Sequence, residues 1–82
     1  MTEMLNSLAE TLIKGKMNDM AGLTQQALDS GLSAEDVLQK GLLAGMDVVG
    51  KRFKSGEMFI PEVLRSAKTM HKAMEEIGRA HV

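Results

Sequence analysis

Apolar residues recur at helical spacing along almost the whole chain, and glycines interrupt the pattern where each run should stop. The first run covers about Thr2 to Lys14, with Leu5, Leu8, Leu12 and Ile13 on one face, Thr2 placed to cap it and Gly15 to end it. A second covers about Met17 to Ser30. Met20, Ala21, Thr24, Ala27 and Leu28 share a face, Met17 and Leu23 lie at its edge, and Gly31 is placed for a left-handed C-terminal cap. The third has the clearest start. Ser33 can cap, and Glu35 and Asp36 put negative charge against the positive end of the helix dipole. Val37, Leu38, Gly41, Leu42, Gly45, Met46, Val49 and Phe53 then follow a helical period, with an end expected near Lys54 and Gly56 just beyond. The fourth opens at Pro61, a residue suited to a first helical position, and Val63, Leu64, Ala67, Met70, Met74 and Ile77 form its stripe. No segment alternates with period two for long enough to be a strand. Four amphipathic segments with short connections predict an all-α fold, a four-helix bundle around one shared core.

The chain has 82 residues, one small domain of marginal stability. It has no cysteine, which removes disulfides and thiolate metal sites and fits a reducing cytoplasmic setting. Lys and Arg together number 10 against 11 Asp and Glu, a balance that argues against nucleic acid as a partner. No apolar run is long enough for a membrane span, and no secretory signal pattern opens the chain. Eight methionines are high for this length and read first as adaptable core filler.

Two features stand apart from the bundle pattern. Gly41, Gly45 and Gly50 lie inside the third segment, where each costs roughly 1 kcal/mol relative to Ala. Tight packing against a neighbouring helix is the expected compensation for all three, and approach of a ligand is the second reading. The other feature is the turn "GEMFIPEVL", residues 56–64. The chain's two aromatics, Phe53 and Phe59, both lie beside this turn, ahead of the chain's one proline, Pro61, where water can reach them. Either Phe53 and Ile60 staple the loop into the core, or an external surface completes their burial.

The stretch "GLLAGMDVVGKRFKSGEMFIPEVLRSAKTMHKAM", residues 41–74, closely resembles the helical cap domain of cobalamin-binding methyltransferase proteins. That group takes in corrinoid proteins of methanol and methylamine methyl transfer and the cobalamin module of methionine synthase. The match rests on Gly41, Gly45, Met46, Val49, Gly50, Phe53, Gly56, Phe59, Pro61, Val63, Ala67 and Met70. It implies a cap over the upper face of methylcobalamin or a related corrinoid, with Phe53, Ile60 and Val63 as the cofactor-contacting residues. Ile60 stands where the family more often has Leu. The resemblance also implies methyltransferase subunits as partners and a following α/β domain whose D-x-H-x-x-G histidine ligates cobalt from below.

This chain contains no D-x-H-x-x-G. His71 sits within a helical stretch and reads as a surface or edge histidine, and Glu62 as a helix-start charge. No nucleophile–base pair, phosphate loop or metal-ligand cluster is present, so no catalytic and no metal-binding residue is assigned. The expectation is a fragment of a methyl-transfer system that is not catalytic alone. Residues 1–76 form the cap domain on this reading, and residues 77–82 a non-native tail. The reason is that "IGRAHV" coincides with the translation of a common sequencing adapter up to its stop codon. Two other functions compete. A cobalamin-sensing regulator is disfavoured because its cap usually carries a Trp and a Glu-His pair, absent here. A free-standing interaction module would hide the apolar patch by self-association.

Overall fold

The computed structural model describes residues 2–80, so His81 and Val82 of the proposed tail lie outside the described residues. The helices are α1 (Thr2–Lys14), α2 (Met17–Asp29), α3 (Ala34–Asp36), a π-helical segment (Val37–Leu43), α4 (Ala44–Ser55) and α5 (Ile60–Ala80). α3, the π segment and α4 run on as one rod, so the architecture is the expected four-rod bundle, with no strand among the described residues. α5, at 21 residues, and the continuous rod of residues 34–55 are the longest elements, and the bundle measures 37 Å in its long dimension. α1 touches every other rod, and α2 pairs most extensively with α5.

The glycines end the helices as their positions require. Gly15, Gly31 and Gly56 have φ of 68°, 103° and 86°, the left-handed region. At each, the glycine N–H and the next N–H bond back to the preceding turn in a Schellman pattern. At Gly31 these bonds reach Leu28 and Ala27 at 3.1 and 3.3 Å, and the following residue, Leu32, is buried. Ser33 caps the third rod as expected, its hydroxyl accepting from the Asp36 N–H at 3.0 Å. Thr2 is already helical, and its side chain lies outside the described part.

The core is built from Leu8 and Leu12 of α1, Met20 and Ala27 of α2, Leu32, Val37, Leu42, Val49, Met58 and Ala73. Gly41 and Gly45 let α1 lie close against the third rod. A Cβ on Gly41 would come 3.3 Å from Leu8, and one on Gly45 would come 3.1 Å from the Ala9 carbonyl oxygen and 3.2 Å from its Cα. Tight packing therefore accounts for these two. It does not account for Gly50, where an added Cβ meets no described atom within 4 Å.

Two further expectations need correction. The third rod was read as α-helical throughout, yet Val37–Leu43 closes π turns. Among its buried residues, Val37, Gly41, Gly45 and Val49 repeat every four, with Leu42 beside them. A four-residue step overshoots an α turn by roughly 40°, and the wider π turns absorb part of that drift, keeping the face toward α1. On α5 the period is right but the phase is rotated. Ser66, Thr69 and Ala73 are buried and Val63, Met70 and Ile77 are half-buried against the core, whereas Leu64, Ala67 and Met74 are exposed. Small side chains permit close approach, and the two hydroxyls stay satisfied: Thr69 donates to the Arg65 carbonyl at 2.8 Å and Ser66 to that of Ile13 at 3.3 Å.

Candidate functional site

The turn between α4 and α5 is held by backbone bonds that leave its aromatics free. The Gly56 N–H bonds to the Phe53 carbonyl at 3.2 Å, and the Glu57 and Met58 N–H groups both bond to that of Arg52, at 2.8 and 3.1 Å. α5 starts one residue before Pro61, at Ile60. Its first turn is closed by Glu62, whose Oε1 accepts from the Phe59 N–H at 3.0 Å, half of a capping box. That bond gives Glu62 the helix-start role expected of it. Arg65, one turn on, donates from Nε to the Gly15 carbonyl at 2.9 Å and ties the start of α5 to the α1–α2 turn.

Met58 is the residue that anchors the loop, buried to 6% exposure within the core. Phe53 and Ile60 are not staples. They are 47% and 62% exposed, and Phe59 is 67% exposed. Val63 is half-buried and packs against the core from the first turns of α5. The fold thus carries Phe53 at the end of α4 and Ile60 and Val63 at the start of α5, with a short turn between them. The contact set read from the sequence leaves out Phe59, the most exposed of these apolar residues. Its place between a Schellman closure and a proline, where neither helix can bury it, was the available signal. Met58 was missed because nothing in a methionine's spacing separates an anchor from filler.

Apolar surface left open at one end suits a large, mostly apolar ligand face whose contact completes its burial. Gly50, with open space where a side chain would stand, lies one turn before Phe53 on α4. Among the described residues no three His, Cys, Asp or Glu side chains cluster as metal ligands. His71 is exposed and pairs with Glu75 at 3.4 Å on the surface of α5, where it was expected. A separate shallow hollow of 340 Å³ lies along α5, lined by Met17, Leu64, Ala67 and Lys68 among others. No described helix is long and apolar enough to cross a membrane.

Comparison with known proteins identifies the fold and the family. Residues 4–77 match the family described as B12 binding domain. Monomethylamine corrinoid protein 2 of Methanosarcina mazei is 40% identical over 74 residues, 90% of this chain and 34% of that protein. A corrinoid protein of Desulfitobacterium hafniense is 42% identical over 67 residues, 82% of this chain and 31% of that protein. The solved structure of the Methanosarcina barkeri monomethylamine corrinoid protein superposes with a TM-score of 0.89 at 33% identity, covering 92% of this chain and 35% of that one. The chain spans about a third of the length of these relatives. A bundle matched over nearly its whole length, with an open apolar end of the kind described, leaves one assignment: the chain belongs to the B12-binding domain family, as the helical cap domain found in corrinoid proteins.

Proposed function

We propose that this chain is the cap of a corrinoid methyl carrier, and that its α4–α5 end covers the upper face of methylcobalamin. The observation that carries the reading is the exposure of Phe53 and Ile60 while Met58 takes the anchoring position in the core. The cofactor supplies a transferable methyl group on a weak cobalt–carbon bond. The chain's own residues supply a dry lid: Phe53, Ile60 and Val63 exclude water and dioxygen from the reactive face. Transfer then requires the lid to move aside for methyltransferase subunits, with an α/β domain holding the corrinoid from its lower side. The names of the relatives, corrinoid proteins and several of them of methylamines, support a carrier of the methylamine type.

Titration of isotopically labelled chain with methylcobalamin, followed by amide NMR, tests the reading. Shifts are expected at Phe53, Ile60 and Val63 and in the turn between α4 and α5. Shifts confined to the Leu64–Lys68 hollow on α5 would refute it.

A further inference from the structure

Gly50 stands in the middle of α4 with its position unexplained by the fold. It is exposed, and a Cβ there meets no described atom within 4 Å, as at Gly22 and Gly78, but of these three only Gly50 lies one turn from Phe53. A helical glycine is destabilising relative to alanine, so a position with free space around it should favour a side chain. Gly41 and Gly45 differ, because their missing side chains let α1 approach.

The surroundings of Gly50 suggest what takes advantage of the gap. Leu43, Met46, Gly50 and Phe53 follow steps of three and four and so lie along one flank of the rod. Leu43 is 45% exposed, Met46 is half-buried, and Phe53 belongs to the open apolar end. Asp47, paired with Lys51 at 3.1 Å, and Lys54 border the other side of Gly50, so the flank is a narrow apolar strip edged by charge and continuous with the proposed cap surface. Met46 and Phe53 rise on either side of Gly50, which leaves bare helix backbone between them.

We propose that Gly50 is a positioning residue for the corrinoid: the bare backbone forms a shelf on which the edge of the macrocycle rests, setting how far Phe53 reaches over its centre. This rests on the reading of the α4–α5 end as a cap. A side chain at residue 50 would lift the ring from the helix and withdraw it from Phe53. An ordinary helical surface position would instead accept alanine or leucine with no effect on the ligand.

The test uses the 82-residue chain, methylcobalamin at up to millimolar concentration, and amide NMR as the readout of affinity. Gly50→Ala and Gly50→Leu are compared with wild type and with Phe53→Ala. Both glycine variants keep the fold, and Gly50→Ala is expected to raise the unfolding midpoint by about 4–8 °C. At the same time Gly50→Leu is expected to weaken methylcobalamin binding by roughly tenfold or more, with Gly50→Ala between it and wild type. Higher stability with lower affinity is a combination that a purely structural glycine does not produce. If Phe53→Ala weakens binding and Gly50→Leu does not, the shelf is overturned and the cap reading stands. If wild type gives no shifts at Phe53 and Ile60, the cap reading fails and the shelf fails with it.

Discussion

Thr24 is fully buried on α2, and its hydroxyl has no hydrogen-bond partner among the described residues. A buried, unpaired hydroxyl carries a desolvation penalty of about 1–3 kcal/mol. Thr24→Val keeps the shape and removes the polar atom, so it is expected to stabilise the chain by about 1 kcal/mol in urea unfolding; a loss of stability would mean that the hydroxyl is satisfied. Gly45 makes the opposite case. The Cβ of Gly45→Ala would press on the α1 backbone at Ala9, which cannot turn aside as a side chain can. Strain of about 1–3 kcal/mol should outweigh the propensity gain, so this variant is expected to unfold at lower denaturant than wild type. Gly41, Gly45 and Gly50 looked alike in the sequence because each interrupts the same helix. Only the position of α1 separates two close approaches from one open face.

At the scale of elements, starts and stops were legible, as was the inward face of the first three rods, whereas the phase of α5 was not. Ser33, Gly15, Gly31 and Gly56 act through local chemistry, which the sequence displays directly. The rotation of α5 depends on its partners. A hydropathy stripe weighs Leu64 and Met74 above Ser66 and Thr69, yet close packing against α1 and α2 favours the small residues, whose hydroxyls bond to the Ile13 carbonyl of α1 and the Arg65 carbonyl of α5 itself. The π segment had a signal in the strict four-residue repeat of Val37, Gly41, Gly45 and Val49, which a search for helical period absorbs without notice. α5 continues through the start of the proposed tail, with Ile77 against the core and Gly78 and Arg79 exposed. Deleting residues 78–82 while keeping Ile77 is expected to change stability by less than about 0.5 kcal/mol in thermal unfolding. A loss of several kcal/mol would make the tail an integrated part of the helix.

For the whole molecule, the fold class and the family followed from pattern and resemblance, and the turn aromatics could be placed within reach of water, whereas the choice between a stapled loop and an open end required coordinates. Phe53 sits on the apolar stripe of its rod, and stripe membership alone would bury it. It stays 47% exposed at the end of α4, while Met58, just past the turn, is the residue that enters the core. The central claim is that this open end exists for a cofactor, and Phe53→Ala tests it most directly. The cap is joined to a corrinoid-loaded α/β domain of a relative, and the stability of the bundle and the photolysis of methylcobalamin are measured on the same protein. A half-exposed side chain should cost well below the roughly 3–5 kcal/mol of a buried phenylalanine. The account predicts a small stability loss with faster photolysis, as the lid over the methyl group thins. A loss of several kcal/mol with unchanged photolysis would contradict it and return Phe53 to the core.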